Sequence, residues 1–151
     1  MYNLIPSCHS CNHIKGSPKY DWNNALDELN HPYKTDVNES FTFSYEFADN
    51  LQSLKVVTKV PNSALKTPAT LKFNKIQEIY NAHSNKELKD LLDLRYKYSD
   101  KFLERMINNF KIMTKQEAYR IAFGIEMDTE NYHKRPFSKF KKDILDELLS
   151  K

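Results

Sequence analysis

The sequence predicts an α+β fold, in which a small antiparallel hairpin precedes a mainly helical C-terminal region. Only two glycines occur among the 151 residues, which argues against a sandwich of strands joined by many tight turns. Apolar side chains alternate over residues 40–47, which is the period of a half-buried strand. From Thr70 onward they instead recur every three or four residues, as in amphipathic helices. We expect one compact domain built from three segments, 1–35, 36–66 and 67–151.

Composition and charge are those of an ordinary globular protein. Hydrophobic residues make up 40% of the chain, which is enough to bury a core. The net charge of +3 is compatible with phosphate binding, and equally with a plain solvated surface. No apolar run reaches transmembrane length, no signal peptide precedes the first motif, and two cysteines do not suggest a disulfide framework. We therefore expect a soluble, cytoplasmic protein that does not bind membranes.

The first segment contains a CxxC pair, Cys8 and Cys11, within the densest group of metal-capable side chains in the chain. Two thiolates on one turn form half of a tetrahedral zinc site, and imidazoles are candidates for the other half. His9 lies between the two cysteines and would point away from a metal that they share, so it is the poorest candidate. A redox pair is the alternative, but it requires a long helix after the pair, and Gly16 and Pro18 stop a helix within about two turns. The other candidate ligands are His13, His31, His83 and His133.

A short helix and a hairpin are predicted next. Residues 21–30 place Trp22 and three aliphatic side chains at helical spacing, and the helix ends before Pro32. The strand at 40–47 and a returning strand at 54–60 flank a turn at residues 49–50. We expect the aromatic ladder of the first strand to face the core, although aromatic side chains on an open sheet also stack nucleic-acid bases. The ladder consists of Phe41, Phe43, Tyr45 and Phe47.

Helical spacing then continues from Thr70 to about residue 110. One helix is predicted up to His83, which we expect to be structural rather than catalytic. Ser84 and Glu87 form a capping-box pattern, in which a side chain at each end of the first turn satisfies a free backbone N–H. This pattern predicts that a new helix begins at Ser84 and runs to about residue 110.

Two more helices are predicted in the last third of the chain. Thr114 and Glu117 form a second capping box, and the helix that they open ends near Gly124. After a turn at residues 128–131, apolar side chains at helical spacing over 137–148 predict the last helix. Five cations lie on or just before this helix and are candidates for contact with a phosphate backbone, with a solvated helix end as the alternative. They are Lys134, Arg135, Lys139, Lys141 and Lys142.

The segment Asn3–Gly16, NLIPSCHSCNHIKG, resembles the second half of the HNH endonuclease motif, the ββα-metal fold. The resemblance implies that Asn3 ties down the loop between two strands and that Cys8 and Cys11 hold a structural zinc ion. It implies that Asn12 binds the catalytic metal, Mg²⁺ or Mn²⁺, at the start of a short helix. Lys15 matches the lysine of that helix, which either approaches the phosphate or projects into water. Residues 136–139 are similar to segments near the ends of bacterial HNH proteins, some of them linked to phage defence.

The first half of the family's motif carries an Asp-His pair, in which the histidine is the general base. Only two residues precede Asn3, and no Asp-His pair occurs anywhere in the sequence. We therefore expect a truncated copy of a longer nuclease, inactive alone because acid–base catalysis contributes about a hundred- to ten-thousand-fold in rate.

The sequence thus predicts an HNH endonuclease-like protein whose intact relatives hydrolyse nucleic-acid phosphodiesters, with DNA favoured over RNA as partner. The alternative is a non-enzymatic helical module that binds nucleic acid or protein. A missing upstream strand would expose a sheet edge, so we also expect either a homodimer or an N-terminal half supplied by another chain.

Overall fold

The α+β class predicted from the sequence is confirmed in the computed structural model of the chain, where a two-stranded antiparallel hairpin is followed by helices. The chain divides into two compact units. Unit 1 comprises Met1–Thr42 with Val57–Ala82, and unit 2 comprises Phe43–Val56 with His83–Lys151. The predicted three-segment division stays a prediction. The structure describes residues 9, 13, 28–31, 38–47, 53–110 and 113–150.

The hairpin consists of β1 (Thr42–Phe47) and β2 (Leu54–Lys59), close to the predicted strands. The alternation of apolar and polar residues was therefore a sound guide to both strands. The turn predicted at residues 49–50 and most of the helix predicted at 21–30 lie outside the described residues.

The expectation that the aromatic ladder faces the core is right for Phe43 and wrong for Phe47. Phe43 is 3% exposed and meets the ring of Phe140 edge-on at 5.4 Å, whereas Phe47 is 62% exposed. The neighbouring Ser44, on the opposite face of the strand, is also buried, and its hydroxyl donates to Glu147 at 2.5 Å. Both faces of the strand are thus covered near its start, which strict alternation does not anticipate.

In unit 1, two short helices replace the single helix that was predicted from Thr70. They are α1 (Thr67–Phe73) and α2 (Ile76–His83). Between them Lys75 adopts a left-handed φ of 50°, and its N–H donates to the carbonyl of Lys72 at 3.1 Å. A left-handed residue ends a helix, so the continuous helical spacing of the sequence conceals a break.

The start of α1 is capped by Glu39, which is 28 residues away in sequence from Thr67. Its two carboxylate oxygens accept the backbone N–H groups of Leu65, Lys66 and Thr67 at 2.7–3.0 Å. The hydroxyl of Thr67 donates to the same carboxylate at 2.8 Å. Glu39 therefore satisfies the amide of Thr67, the first helical residue, together with the amides of the two residues before it.

Asn30 extends this cap into a polar network. Its side-chain amide donates to Thr67 Oγ1 at 2.9 Å, and its backbone N–H donates to Thr70 Oγ1 at 2.8 Å. Thr67 is buried, and its hydroxyl both accepts from Asn30 and donates to Glu39. Buried polar groups are stable when they are hydrogen-bonded in this way, so the network holds residues 28–31 against α1.

In unit 2, the helix restart predicted at Ser84 is wrong. The chain passes without a break from α2 through a π-helical turn, Ser84–Leu88, into α3 (Lys89–Lys97). Glu87 does not close a capping box, since its carboxylate pairs with Lys141 at 2.8 Å instead. The sequence contains the pattern of a capping box, but the Glu87 carboxylate forms an ion pair with Lys141, which is distant in the sequence.

A helix break that the sequence reading missed lies at Ser99. The hydroxyl of Ser99 accepts the N–H of Phe102 at 3.3 Å and caps α4 (Asp100–Asn109). Serine followed by aspartate is a typical helix start, so the signal was present. It was overlooked because the apolar spacing continues across the break.

The second predicted capping box is confirmed at the start of α5 (Lys115–Phe123). Thr114 Oγ1 accepts the N–H of Glu117 at 3.2 Å, and the Glu117 carboxylate accepts the N–H of Thr114 at 2.8 Å. The helix ends at Gly124, as predicted, with a left-handed φ of 65°. Glycine suits this position because it lacks the Cβ atom that would crowd the backbone.

A 3₁₀ helix (Thr129–Lys134) and α6 (Ser138–Leu149) complete the described chain, and the prediction of a last helix is confirmed. Helix α3 packs against α5 and α6, α4 packs against α5, and the 3₁₀ helix packs against α6. The backbone N–H of Phe43 in the hairpin donates to Asp143 of α6 at 3.0 Å. The largest fully buried hydrophobic side chains of unit 2 are Val56, Leu88, Leu91, Phe123, Ile125, Phe140, Ile144 and Leu145.

Candidate functional site

The residues on which the HNH resemblance depends lie outside the described residues. These are Asn3, Cys8, Cys11, Asn12 and Lys15, and the roles expected of them stay predictions. Two side chains from the same segment are described, His9 and His13.

His9 and His13 are both helical and exposed, and they are four residues apart in the sequence. Their ring centroids are 6.2 Å apart, and the ring planes are inclined by only 7°. The two imidazoles are therefore stacked nearly parallel to each other.

Two of the other histidines that were considered as zinc ligands, His83 and His133, have different surroundings in unit 2. His83 packs against the ring of Phe137, with centroids 5.1 Å apart, which agrees with the structural role expected of it. His133 is exposed in the 3₁₀ helix. Across the part of the chain that the structure describes, no three or more His, Cys, Asp or Glu side chains are grouped closely enough to hold a metal ion.

The predicted basic cluster is brought together along the 3₁₀ helix and α6, and most of its members have carboxylate partners. Lys139 pairs with Asp143 and Lys141 with Glu87, each at 2.8 Å, and Lys142 pairs with Asp146. The hydrogen bond to Asp146 raises the pKa of Lys142 despite partial desolvation, so this ammonium group keeps its charge. A phosphate that approaches this face must therefore compete with carboxylates of the protein itself.

Lys134 and Arg135 are more accessible to a ligand. Lys134 is exposed, and the structure gives it no ion pair within the described residues. Arg135 shares the carboxylate of Glu126 with Arg120, since both Nε atoms lie 3.3 Å from the same oxygen. Two guanidinium groups against one carboxylate leave a net positive charge within this group of three side chains.

The same two arginines line a pocket of about 520 Å³ in unit 2. The carboxylate of Glu126, whose side chain is only 14% exposed, holds both guanidinium groups in place. Ile121 is 65% exposed and Phe110 60% exposed, and both contribute apolar surface to the pocket walls. The pocket thus combines apolar surface with two arginines and one glutamate, Glu117, and a ligand with a negative group and an apolar part would fit its arginine side. Its remaining lining residue is Met113.

Sequence reasoning missed this pocket. Arg120 was not considered, because its helix was interpreted only through its caps, and Glu126 lies beyond the end of that helix. An apolar residue on the polar side of a helix is the signal that was available. That residue is Ile121, which directly follows Arg120. The signal is weak, because single exposed apolar side chains are common on protein surfaces.

The comparisons with known proteins give no family assignment: no family model, no curated protein and no solved structure matches the chain. Among the described residues, no helix is both long enough and apolar enough to cross a membrane.

Proposed function

We propose that this chain is a nucleic-acid-binding protein of the HNH endonuclease type. The observation that carries the proposal is the motif at residues 3–16, in which Asn3, the two cysteines, Asn12 and Lys15 stand at the family's spacing. Cys8 and Cys11 hold zinc, and Asn12 binds a divalent metal ion, Mg²⁺ or Mn²⁺. The sequence contains no Asp-His pair, so this chain by itself binds nucleic acid without hydrolysing it.

Contact with DNA is assigned first to Lys134 and Arg135. Phosphate contacts position a protein on nucleic acid through cations that are free to approach the backbone. Lys134 is exposed, and Arg135 belongs to the pair of arginines that a single carboxylate holds. Lys139 and Lys142 give weaker contacts, because Asp143 and Asp146 neutralise them. Lys15 is assigned a separate contact, which the HNH resemblance implies.

The proposal is tested first by metal content and plasmid cleavage. We expect about one zinc ion per chain, which is lost in Cys8→Ser, and no cleavage in Mg²⁺ or Mn²⁺. A purified chain without zinc, whose binding of Mn²⁺ is unchanged in Asn12→Ala, would contradict the metal assignments. Cleavage that disappears in Asn12→Ala would show instead that another residue of this chain acts as general base.

DNA binding is tested with a labelled duplex in fluorescence anisotropy. Lys134→Ala should weaken binding and lower the slope of log K against log salt by about one, the change expected for one lost phosphate contact. Lys101→Ala is the matched control, since Lys101 is an exposed lysine on α4, outside the cluster. Equal losses in the two variants, or no binding by the wild type, would contradict the assignment.

The pocket favours a second candidate, a non-enzymatic module that binds a protein segment with a negative and an apolar group. Anilinonaphthalene sulfonate combines a sulfonate with aromatic rings and is a suitable probe. We expect the pocket to bind it, and both Arg120→Ser and Ile121→Ser to weaken this binding. Phe47→Ser is the control, because it removes an exposed apolar side chain elsewhere. Unchanged binding in the two pocket variants would exclude this candidate.

A further inference from the structure

His9 and His13 form a pair that the proposed nuclease does not use. The HNH resemblance assigns zinc to Cys8 and Cys11 and the catalytic metal to Asn12, and it gives no role to either histidine. His9 was even the poorest candidate for sharing a metal with the cysteines. Both side chains are nevertheless presented together at the surface.

The geometry of the pair suits chelation of one ion. Residues four apart on a helix project in nearly the same direction, and the rings of His9 and His13 are parallel within 7° at a centroid separation of 6.2 Å. A metal ion binds an imidazole nitrogen at about 2.0–2.1 Å, so two rings at this separation are within reach of one ion once they rotate about their side-chain bonds. Two histidines at this spacing on one helical face are the ligand pair of the zinc helix H-E-x-x-H.

The accessibility of the pair is equally suitable. Both side chains are exposed, so a hydrated ion reaches them without displacing a packed group. Neutral imidazole prefers first-row metals of intermediate softness, such as Zn²⁺, Ni²⁺ and Cu²⁺, over Mg²⁺ and Ca²⁺. With only two protein ligands, the other coordination positions are left to water, which makes the site open rather than closed.

We propose that His9 and His13 together bind one first-row transition-metal ion, with Ni²⁺ and Cu²⁺ as the strongest binders among the common divalent ions. This inference does not rest on the proposed function, since it requires neither zinc at the cysteines nor contact with nucleic acid.

The test is a titration of Ni²⁺ into the full chain, prepared without a histidine tag and with Cys8→Ser and Cys11→Ser to remove the thiolates. We expect one Ni²⁺ per chain by calorimetry. His9→Ala and His13→Ala should each weaken binding by about tenfold or more, because loss of one ligand removes the chelate effect. His133→Ala is the matched control, being another exposed histidine in a short helix, and should change nothing.

The double variant sharpens the test. A chelate needs both rings, so His9→Ala with His13→Ala should bind Ni²⁺ little more weakly than either single variant. Effects that simply add would show two independent histidines and would overturn the proposal. So would single variants that bind as tightly as their parent.

A second measurement keeps the wild-type cysteines and does not depend on the serine variants. Diethylpyrocarbonate modifies exposed imidazoles, and mass spectrometry locates the modified residues. We expect Ni²⁺ to protect His9 and His13 together and to leave His133 reactive. Protection of only one of the pair, or of none, would overturn the proposal. Loss of zinc from Cys8→Ser tests the proposed function instead, so failure of one is distinguishable from failure of the other.

Discussion

Two helices of this protein have their first turns capped by a glutamate, and they differ in where the glutamate comes from. Helix α5 is capped within its own sequence, by Thr114 and Glu117. Helix α1 is capped by Glu39, which approaches from before the hairpin. The first arrangement was predicted from the sequence and the second was not. In both caps a glutamate carboxylate accepts backbone N–H groups, so the chemistry is the same. Only the cap whose two residues are close in the sequence could be predicted from it.

Both carboxylates respond to their caps in the same direction. The backbone N–H and hydroxyl of Thr114 lower the pKa of Glu117. Desolvation acts to raise the pKa of Glu39, but hydrogen bonds from Lys66, Thr67 and Leu65 outweigh it and lower that pKa from 4.5 to about 2. A carboxylate that accepts several backbone N–H groups is held in its charged form.

The largest effect is expected from removal of the long-range cap. Glu39→Ala leaves the amides of Leu65, Lys66 and Thr67 and the Thr67 hydroxyl without their acceptor, so the free energy of unfolding should fall more than in any local-cap variant. Thermal and urea unfolding followed by circular dichroism measure this. Glu46→Ala, at an exposed glutamate of β1, is the control and should unfold like the wild type.

The pH dependence of stability identifies the same carboxylate. Because the pKa of Glu39 is lower in the folded chain, its contribution is present above pH 4.5 and is lost as the pH falls toward about 2. Glu39→Gln cannot titrate, so its free energy of unfolding should fall less over this range. Urea titrations at several pH values compare the two slopes. Equal slopes would contradict the assignment of Glu39 as the long-range cap.

The next largest effect is expected at Thr67, which links Glu39 to Asn30. Thr67→Val preserves the shape of the side chain but removes the hydroxyl, leaving the amide of Asn30 without its acceptor. We expect the free energy of unfolding to fall by about 1–3 kcal/mol, the cost of an unsatisfied buried polar group. Thr42→Val, at an exposed threonine, is the control, and an equal loss there would contradict a specific role for the network.

A smaller effect is expected at the end of α5. Gly124→Ala places a Cβ atom on a residue with a φ of 65°, and this should cost about 1–2 kcal/mol. The new atom would lie 3.7 Å from the Arg135 guanidinium, an ordinary contact, so the loss comes from the backbone. Gly124→Asn should lose less, because asparagine tolerates the left-handed conformation. An asparagine variant less stable than the alanine variant would contradict this reason.

The smallest effect is expected from the local cap. Thr114→Ala removes the hydroxyl that accepts the N–H of Glu117, and the free energy of unfolding should fall by about 1 kcal/mol. Gln116→Ala, an exposed position in the first turn without a part in the cap, is the control. If Thr114→Ala proved as damaging as Glu39→Ala, local and long-range caps would not differ as proposed.

In the basic cluster, too, ion pairs between residues close in the sequence could be predicted, and ion pairs between distant residues could not. Lys139 with Asp143 and Lys142 with Asp146 are four residues apart on one helix, so their pairing is implied by the sequence once the helix is assigned. Lys141 with Glu87, and Arg120 and Arg135 on Glu126, join separate elements. The sequence does not show that Glu87 and Glu126 pair with cations of the cluster. The cluster was therefore predicted to be more accessible to phosphate than it is in the structure.

The candidate sites divide in the same way. The HNH motif is a run of neighbouring residues and was identified from its spacing alone, and the pairing of His9 with His13 follows from a four-residue separation once both are helical. The pocket at Arg120 and Arg135 combines residues from α5, from the end of α4 and from beyond the 3₁₀ helix. No spacing in the sequence indicates it.

The sequence by itself determined the α+β class, the hairpin, the cap and the end of α5, and the last helix. These depend on hydrogen bonds between residues a few positions apart and on the repeat of apolar side chains. Tertiary structure alone decided that Glu39 caps α1, that Lys141 takes the carboxylate of Glu87, and that Glu126 holds two arginines at a pocket. Such contacts join residues that are distant in the chain, and only the packing of side chains selects one partner among many of equal charge.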